Sequence, residues 1–281
     1  MKRLLFSLFT ISLLTACKAG SQQQDDELYS RHLQRKVKLT IINTPIPDDK
    51  SELGLLILND GQDIGRFRVK EIVDSLYKQK AIAPLVVVAV HAGDRMQEYG
   101  VTDKPDFGGR GSRAKFYDDF INNELYPFAK KKSGVRKFKS VVIAGASLGG
   151  LSAFDIGWNH ADKIDKIGVF SGSFWWRDID TKDSSYSDDK NRITIAKLKA
   201  SRKKPKQQYW FYAGAAEESS DRDKDGITDV VDDTKDVIQT LQEKRGIPSS
   251  SIIYVESKDG QHDWPYWSKV LPVFLVWAFG S

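Results

Sequence analysis

Apolar residues recur along this chain at two spacings, and the spacings trade places at regular intervals. Val37-Lys-Leu-Thr-Ile-Ile42 alternates, the pattern of an antiparallel or edge strand. Leu53-Gly-Leu-Leu-Ile-Leu58 and Pro84-Leu-Val-Val-Val-Ala-Val90 are continuous apolar runs, as expected of strands covered on both faces. Between them, Val69, Ile72, Val73, Leu76 and Tyr77 fall at helical spacing. Residues 93–112 are polar, Gly-rich and without period, which predicts a surface loop over one end of a sheet. A helix is expected over 113–132, with Phe116, Phe120, Ile121, Leu125 and Phe128 inward and Pro127 marking a kink or an end.

The alternation continues to the end of the chain. Val141–Ala144, Ile167–Phe170, Gln208–Ala213 and Ser251–Val255 read as strands. Leu151–Trp158, Ile193–Leu198, Val230–Lys244 and Trp264–Phe279 read as helices, and Asp178–Lys190 as an exposed charged excursion. Strands alternating with helices predict an α/β fold, a doubly wound, mostly parallel sheet in a single domain over 36–281. No internal repeat is present.

The first 35 residues follow neither spacing. Lys2 and Arg3 precede the apolar run Leu4–Leu14, which has signal-peptide length and is too short to span a bilayer. Leu14-Thr-Ala-Cys17 resembles the lipobox of bacterial lipoproteins, and Cys17 is the only cysteine of the chain. Residues 1–17 are therefore expected to be a signal peptide ending at a lipidated Cys17. Residues 18–35, polar and rich in Gln and Asp, are expected to be a tether. The expected setting is the bacterial cell envelope, the outer membrane before the inner, with the membrane as a partner through the N-terminal lipid.

Composition narrows the rest. With 281 residues, 40% hydrophobic and 29% charged, the chain can bury a large core, and with one cysteine it can form no intrachain disulfide. The net charge is +5, of which Lys2 and Arg3 supply two. That balance, with no basic run interleaved by aromatics, argues against nucleic acid as a partner.

The candidate chemistry sits where the strand 141–144 gives way to the helix 151–158. Gly145-Ala-Ser-Leu-Gly149 fits G-x-S-x-G, and strand, tight turn and helix is the setting that makes the pattern a nucleophile elbow. A nucleophilic serine needs a general base and a carboxylate to orient it. Of four histidines, only His262 follows Ser147 with room for a strand and an acid between; His32, His91 and His160 do not. The acid belongs just past the strand 208–213, which points to Glu217, with Glu218 and Asp221 as runners-up. Two backbone amides should face the developing oxyanion, those of Leu148 and of Gln62 in Asn59-Asp-Gly-Gln.

With these residues in hand the chain resembles a group of α/β-hydrolase esterases that includes enterochelin esterases, esterase D and feruloyl or acetyl-xylan esterases. The matching pieces are Asp60-Gly-Gln62, Arg95-x-x-Glu98-Tyr99, Phe120-Ile-x-x-Glu-Leu-x-Pro127, Gly145–Gly150, Ser171-Gly-Ser-Phe-Trp175, Gly214-x-x-Glu217 and His262-x-Trp264-x-x-Trp267. They run in the family's order over about 36–281. The resemblance implies the α/β-hydrolase fold, a Ser147–Glu217–His262 triad and ester hydrolysis through an acyl-enzyme with no cofactor required. Asn59 departs from it, since relatives often carry His there.

Two further features bear on ligands. Asp221, Asp223 and Asp225 followed by Gly226, with Asp229 and Asp232 beyond, approach a calcium-loop pattern, although its twelfth position is Asp rather than Glu. A structural calcium is the candidate ligand, against an Asp-rich turn relieved by solvent, Arg222 and Lys224. Among seven tryptophans, Trp175, Trp176, Trp264 and Trp267 lie in loops expected near the catalytic end and, with Arg95, are candidates to hold a sugar ring, an aryl acyl group or an anionic substrate. Arg110 and Arg113 join them if they flank the pocket. The function expected is a serine esterase acting on a siderophore ester or on a feruloyl or acetyl group of a polysaccharide, its substrate a small-molecule or glycan ester. The alternatives are an acyltransferase on the same scaffold and a non-catalytic, lipid-anchored glycan- or siderophore-binding protein.

Overall fold

The computed structural model describes residues 20–280, so the expected signal peptide and Cys17 lie outside the described residues. In chain order the strands are β1 (Gln22–Ser30), β2 (Arg35–Asn43), β3 (Gly54–Asn59), β4 (Leu85–Val90), β5 (Val141–Ala146), β6 (Lys166–Phe170), β7 (Gln208–Gly214) and β8 (Ile252–Ser257). The helices are α1 (Val69–Lys78), α2 (Arg95–Glu98), α3 (Ala114–Phe120), α4 (Tyr126–Ser133), α5 (Leu148–Asn159), α6 (Asp188–Asn191), α7 (Ile193–Ala200), α8 (Asp229–Arg245) and α9 (Trp264–Phe279). One sheet in the order β1-β2-β4-β3-β5-β6-β7-β8 runs through the molecule. β1 and β2 pair antiparallel, as do β2 and β4; the remaining pairs are parallel. This is the doubly wound α/β-hydrolase arrangement expected from the pattern.

Continuous apolar strands are what a sheet covered on both faces requires, and β3, β4 and β5 are buried along their whole lengths. Alternate residues feed two separate cores. Leu55, Ile57, Val86, Val88 and Ile143 face α3, α5, α7 and α8, whereas Leu56, Leu58, Val87, Val142 and Ala144 face α1 and α9. Parallel neighbours bring the carboxyl ends of β3, β5, β6 and β7 to one edge of the sheet. In open α/β sheets that edge is where ligands bind.

The fold departs from the sequence expectations in several places. Residues 93–112, expected to be a surface loop, hold α2 and the buried Glu98, Tyr99, Val101 and Asp106. The polar segment expected to be a tether over 18–35 contains β1, paired along its length with β2 from Gln22↔Asn43 to Ser30↔Arg35. Composition reports on side chains, and those of β1 are mostly solvated; the backbone nevertheless completes the sheet edge, and Leu33 in the following turn is buried. A third departure is Phe116, which is 46% exposed under the Arg113 guanidinium while Tyr117 takes the inward position. The helix also runs past Pro127, because a π-helical turn over Ile121–Leu125 absorbs the missing hydrogen bond.

Candidate active site

Ser147 stands at the sharp turn between β5 and α5, with φ 56° and ψ −124°, a region that costs a non-glycine residue strain. The turn is tight enough that a Cβ on Gly145 would lie 2.3 Å from the Gly149 carbonyl oxygen, and one on Gly149 2.6 Å from Asp60 Oδ2. This is the physical reason for the glycines of the motif. The Ser147 amide donates to Phe170 O at 2.8 Å, which ties the turn to the end of β6.

Three elements deliver the partners. His262 Nε2 lies 2.9 Å from Ser147 Oγ, and His262 Nδ1 lies 2.8 Å from Glu217 Oε2. An ionised Glu217 can only accept, so it fixes the proton on Nδ1 and leaves Nε2 to act as base. The Glu217 side chain is 2% exposed, whereas that of His262 is 41% exposed and open to a substrate. His262 precedes Asp263, whose carboxylate caps α9 by accepting from the Tyr266 amide at 2.9 Å. The Ala215 and Ala216 amides donate to Ser257 O and Gly260 O, tying the acid loop to the histidine loop.

Glu217 is itself held. Its Oε1 accepts from the Gly214 amide at 2.7 Å and from the Ser171 hydroxyl, and Ser171 Oγ in turn accepts from Trp267 Nε1 at 2.9 Å. The Trp267 ring meets the His262 imidazole edge-on, with centroids 4.9 Å apart. Trp267, a candidate substrate aromatic from the sequence, thus supports the triad, and Ser171 carries no sequence signal beyond its place in a motif.

The two amides expected at an oxyanion hole begin α5 (Leu148) and lie in the turn Gly61–Asp63 (Gln62). Neither has a hydrogen-bond partner among the described residues. Asn59 joins their segments: its Nδ2 donates to Gly149 O at 2.7 Å, and its Oδ1 accepts from the buried Tyr117 hydroxyl at 2.8 Å. The Asp60 amide donates to Tyr99 Oη at 3.0 Å, and burial pushes both phenols up, so both stay neutral.

The chain matches a family described as "Putative esterase" over residues 30–278. It belongs to that esterase family. An uncharacterized protein, YbbA, of Bacillus subtilis (strain 168) is 27% identical over 242 residues, covering 83% of this chain and 88% of the relative. Among solved structures, a ferulic acid esterase superposes with a TM-score of 0.65 at 20% identity, covering 92% of this chain and 98% of its own. Enterochelin esterase from Shigella flexneri superposes at 0.70 and 22% identity, with 90% of this chain matched to 57% of that longer protein. Siderophore hydrolase EstB from Aspergillus nidulans gives 0.72 at 16% identity, covering 92% and 95%.

Several side chains of this esterase are not where the sequence suggested. Trp176 is a core residue with no exposed surface, donating from Nε1 to Lys104 O at 3.2 Å, so it is not free to hold a substrate. Arg95 is bound in fork geometry to the buried Asp60, Nε to Oδ1 at 2.8 Å and a terminal nitrogen to Oδ2 at 3.0 Å, which commits its charge to the loop after β3. Arg113 donates to Leu33 O at 2.8 Å, in the β1–β2 turn. Trp264 is half-buried between Phe67 and Trp267. Trp175, in contrast, is partly exposed, with the Arg110 guanidinium 5.0 Å from its ring and that of Arg177 at 5.8 Å. These three line a cavity of about 620 Å³ with Glu218 and Ser220 from the loop that carries Glu217. Arg177 carried no motif and could be placed only by the fold.

The Asp-rich loop assembles in part. One carboxylate oxygen from each of Asp221, Asp223 and Asp225 lies within 4.8 Å of the others. Asp229 does not join them, because it accepts from the Arg222 amide at 2.8 Å and pairs with the Arg222 side chain at 3.4 Å. Asp232 lies on α8.

Proposed function

We propose that the esterase is a serine hydrolase in which Ser147, His262 and Glu217 act in sequence. The observation that carries this is the hydrogen-bond chain from Ser147 Oγ to His262 at 2.9 Å and on to Glu217 at 2.8 Å. Ser147 Oγ attacks the ester carbon while His262 Nε2 takes its proton, and Glu217 stabilises the resulting imidazolium. The Leu148 and Gln62 amides stabilise the tetrahedral oxyanion. His262 then protonates the leaving alcohol, an acyl-enzyme remains, and water attacks it with His262 again as base to release the acid. No step needs a cofactor.

The exposed face of Trp175, with Arg177 beside it, supports an ester whose acyl part carries an aryl ring, such as a feruloyl or a catechol-bearing group. Such a ring stacks on the indole near the Arg177 guanidinium, while Arg110 is held by the buried Asp106. A ferulic acid esterase and siderophore esterases among the structural neighbours fit the same chemistry. Attachment to the envelope through a lipid on Cys17 completes the reading, and loss of labelled palmitate from the protein in a Cys17→Ser variant is its test.

The mechanism is tested by hydrolysis of p-nitrophenyl acetate by wild type beside Ser147→Ala, followed by feruloyl and catecholate esters. Turnover is expected to fall by at least about 10³-fold in the variant. Equal turnover in both proteins would remove Ser147 from the mechanism.

A further inference from the structure

A further cavity lies away from the catalytic edge. It measures about 850 Å³ and opens at the amino ends of the parallel strands, where Gly54, Pro84, Ser140 and Lys166 begin or precede β3, β4, β5 and β6. This mouth and the triad therefore sit at opposite ends of the parallel strands, which span five to seven residues each. Its floor is apolar, made by Tyr77, Ile82, Ala83, Ala278 and Phe279. Its lining carries four lysines, Lys78, Lys80, Lys139 and Lys166, against one acid, Glu52, which pairs with Lys139, while Lys78 pairs with Asp74 beside the lining.

Lys166 is the most telling of the four. Its ammonium donates to Trp277 O at 3.0 Å and Ala278 O at 2.9 Å, and it lies 5.3 Å from the centroid of the Trp277 ring. The neighbouring Asp165 carboxylate acts on its charge through space without forming an ion pair, and an ammonium has a third proton to donate. Around the mouth, apolar side chains point outward: Ile46, flanked by the lining residues Pro45 and Pro47, is 46% exposed, and Val273 and Val276 on the last turns of α9 are 56% and 42% exposed.

The start of the described chain lies at the same place. The Ser21 amide donates to Asp74 Oδ1 at 2.7 Å, and Asp74 pairs with Lys78 of the cavity lining at 2.6 Å. Gln22 is paired with Asn43, two residues before Pro45. In the sequence Cys17 is three residues before Gly20.

We propose that this cavity is a docking site for an anionic phospholipid of the bilayer, with one acyl chain on the apolar floor and the phosphate against the lysines. Ile46, Val273 and Val276 enter the interface beside it. The esterase then rests on the membrane by the amino ends of its strands and presents the triad to the aqueous side, where a soluble substrate arrives. This orientation rests on the reading of Cys17 as the lipid anchor; the lipid site itself is tested without the anchor.

The chain from residue 18, which holds every described strand and helix and both cores, is floated with vesicles of phosphatidylcholine alone and with phosphatidylglycerol added. Binding is expected only to the anionic vesicles. Each lysine near the surface contributes about fivefold, so Lys166→Glu is expected to weaken binding by at least that factor. Val276→Asp alters an exposed position, leaves the fold and p-nitrophenyl acetate turnover unchanged, and is expected to weaken binding likewise. Millimolar inorganic phosphate is expected to leave vesicle binding in place, whereas competition by phosphate would reduce the site to a phosphate pocket and overturn the proposal. Equal binding to both vesicle types, or binding by both folded variants equal to wild type, would also overturn it. Anionic binding by this chain together with no palmitate on Cys17 would remove the anchor and keep the lipid site.

Discussion

Asn59→Ala tests whether the two oxyanion segments are held together by one side chain. Asn59 is 2% exposed and makes two buried hydrogen bonds, to Gly149 O at 2.7 Å and from the Tyr117 hydroxyl at 2.8 Å. Truncation leaves the fully buried Tyr117 hydroxyl without its acceptor, whereas Gly149 O keeps its place in the α5 hydrogen-bond ladder. A buried group left without a partner costs about 1–3 kcal/mol, so the variant should lose roughly that much. A domain with the usual ~5–15 kcal/mol then stays folded at room temperature in most of that range. The catalytic effect is separate. Removing one oxyanion donor outright costs about 10²–10³ in kcat, and loosening the Gln62 turn against α5 should cost part of that, about 10–100-fold. Tyr117→Phe is the control, because it removes the phenol but leaves the bond to Gly149. Kinetics on p-nitrophenyl acetate and melting curves separate the two: Asn59→Ala should lose kcat and Tm, Tyr117→Phe only Tm. If folded Asn59→Ala keeps kcat within about threefold of wild type, the side chain does not set the geometry of the site.

Ser171→Ala should lower kcat about tenfold with little change in KM, because it removes a donor to Glu217 and strands the buried Trp267 Nε1; a fall in Tm with unchanged kcat would make Ser171 merely structural. His91→Asn should narrow the loss of Tm between pH 8 and pH 5. Burial lowers the pKa of His91 below its ordinary value, with Asp25 opposing the shift and Lys38 reinforcing it, while the ring bonds Thr40 at 2.9 Å. As pH falls through about 6.5 the unfolded chain takes up a proton that the folded chain resists, so stability drops on the acid side. An unchanged Tm difference in the variant would refute this.

Much of the fold could be read from periodicity because burial dictates it. A strand such as Leu55–Leu58 must be apolar at every position when helices cover both faces. β1 was not legible for the converse reason. Gln22–Ser30 puts few side chains into a core and contributes backbone hydrogen bonds at an edge, which leave no trace in polarity. Phe116 shows the finer limit: 116 and 117 are both aromatic, and a π turn downstream, invisible to a period of 3.6, helps decide which of them faces inward.

The site divides along a different line. Ser147, His262 and Glu217 were legible because acyl transfer restricts both residue type and chain order, leaving one histidine of four in an admissible position. Trp176, Arg95 and Asp229 carry side chains equally useful for packing and for ligands, and only their neighbours decide the use. Trp176 fills the core, Arg95 is claimed by Asp60, and Asp229 by Arg222. Asn59 is the instructive case. In the sequence it stood out only as a departure from relatives that carry His, yet in the fold it spans from β3 to α5 through a single amide. The short amide of Asn59 serves both the Gly149 carbonyl and the Tyr117 hydroxyl, and a histidine at this position could serve both only by aiming its donor and acceptor ring nitrogens at the two groups.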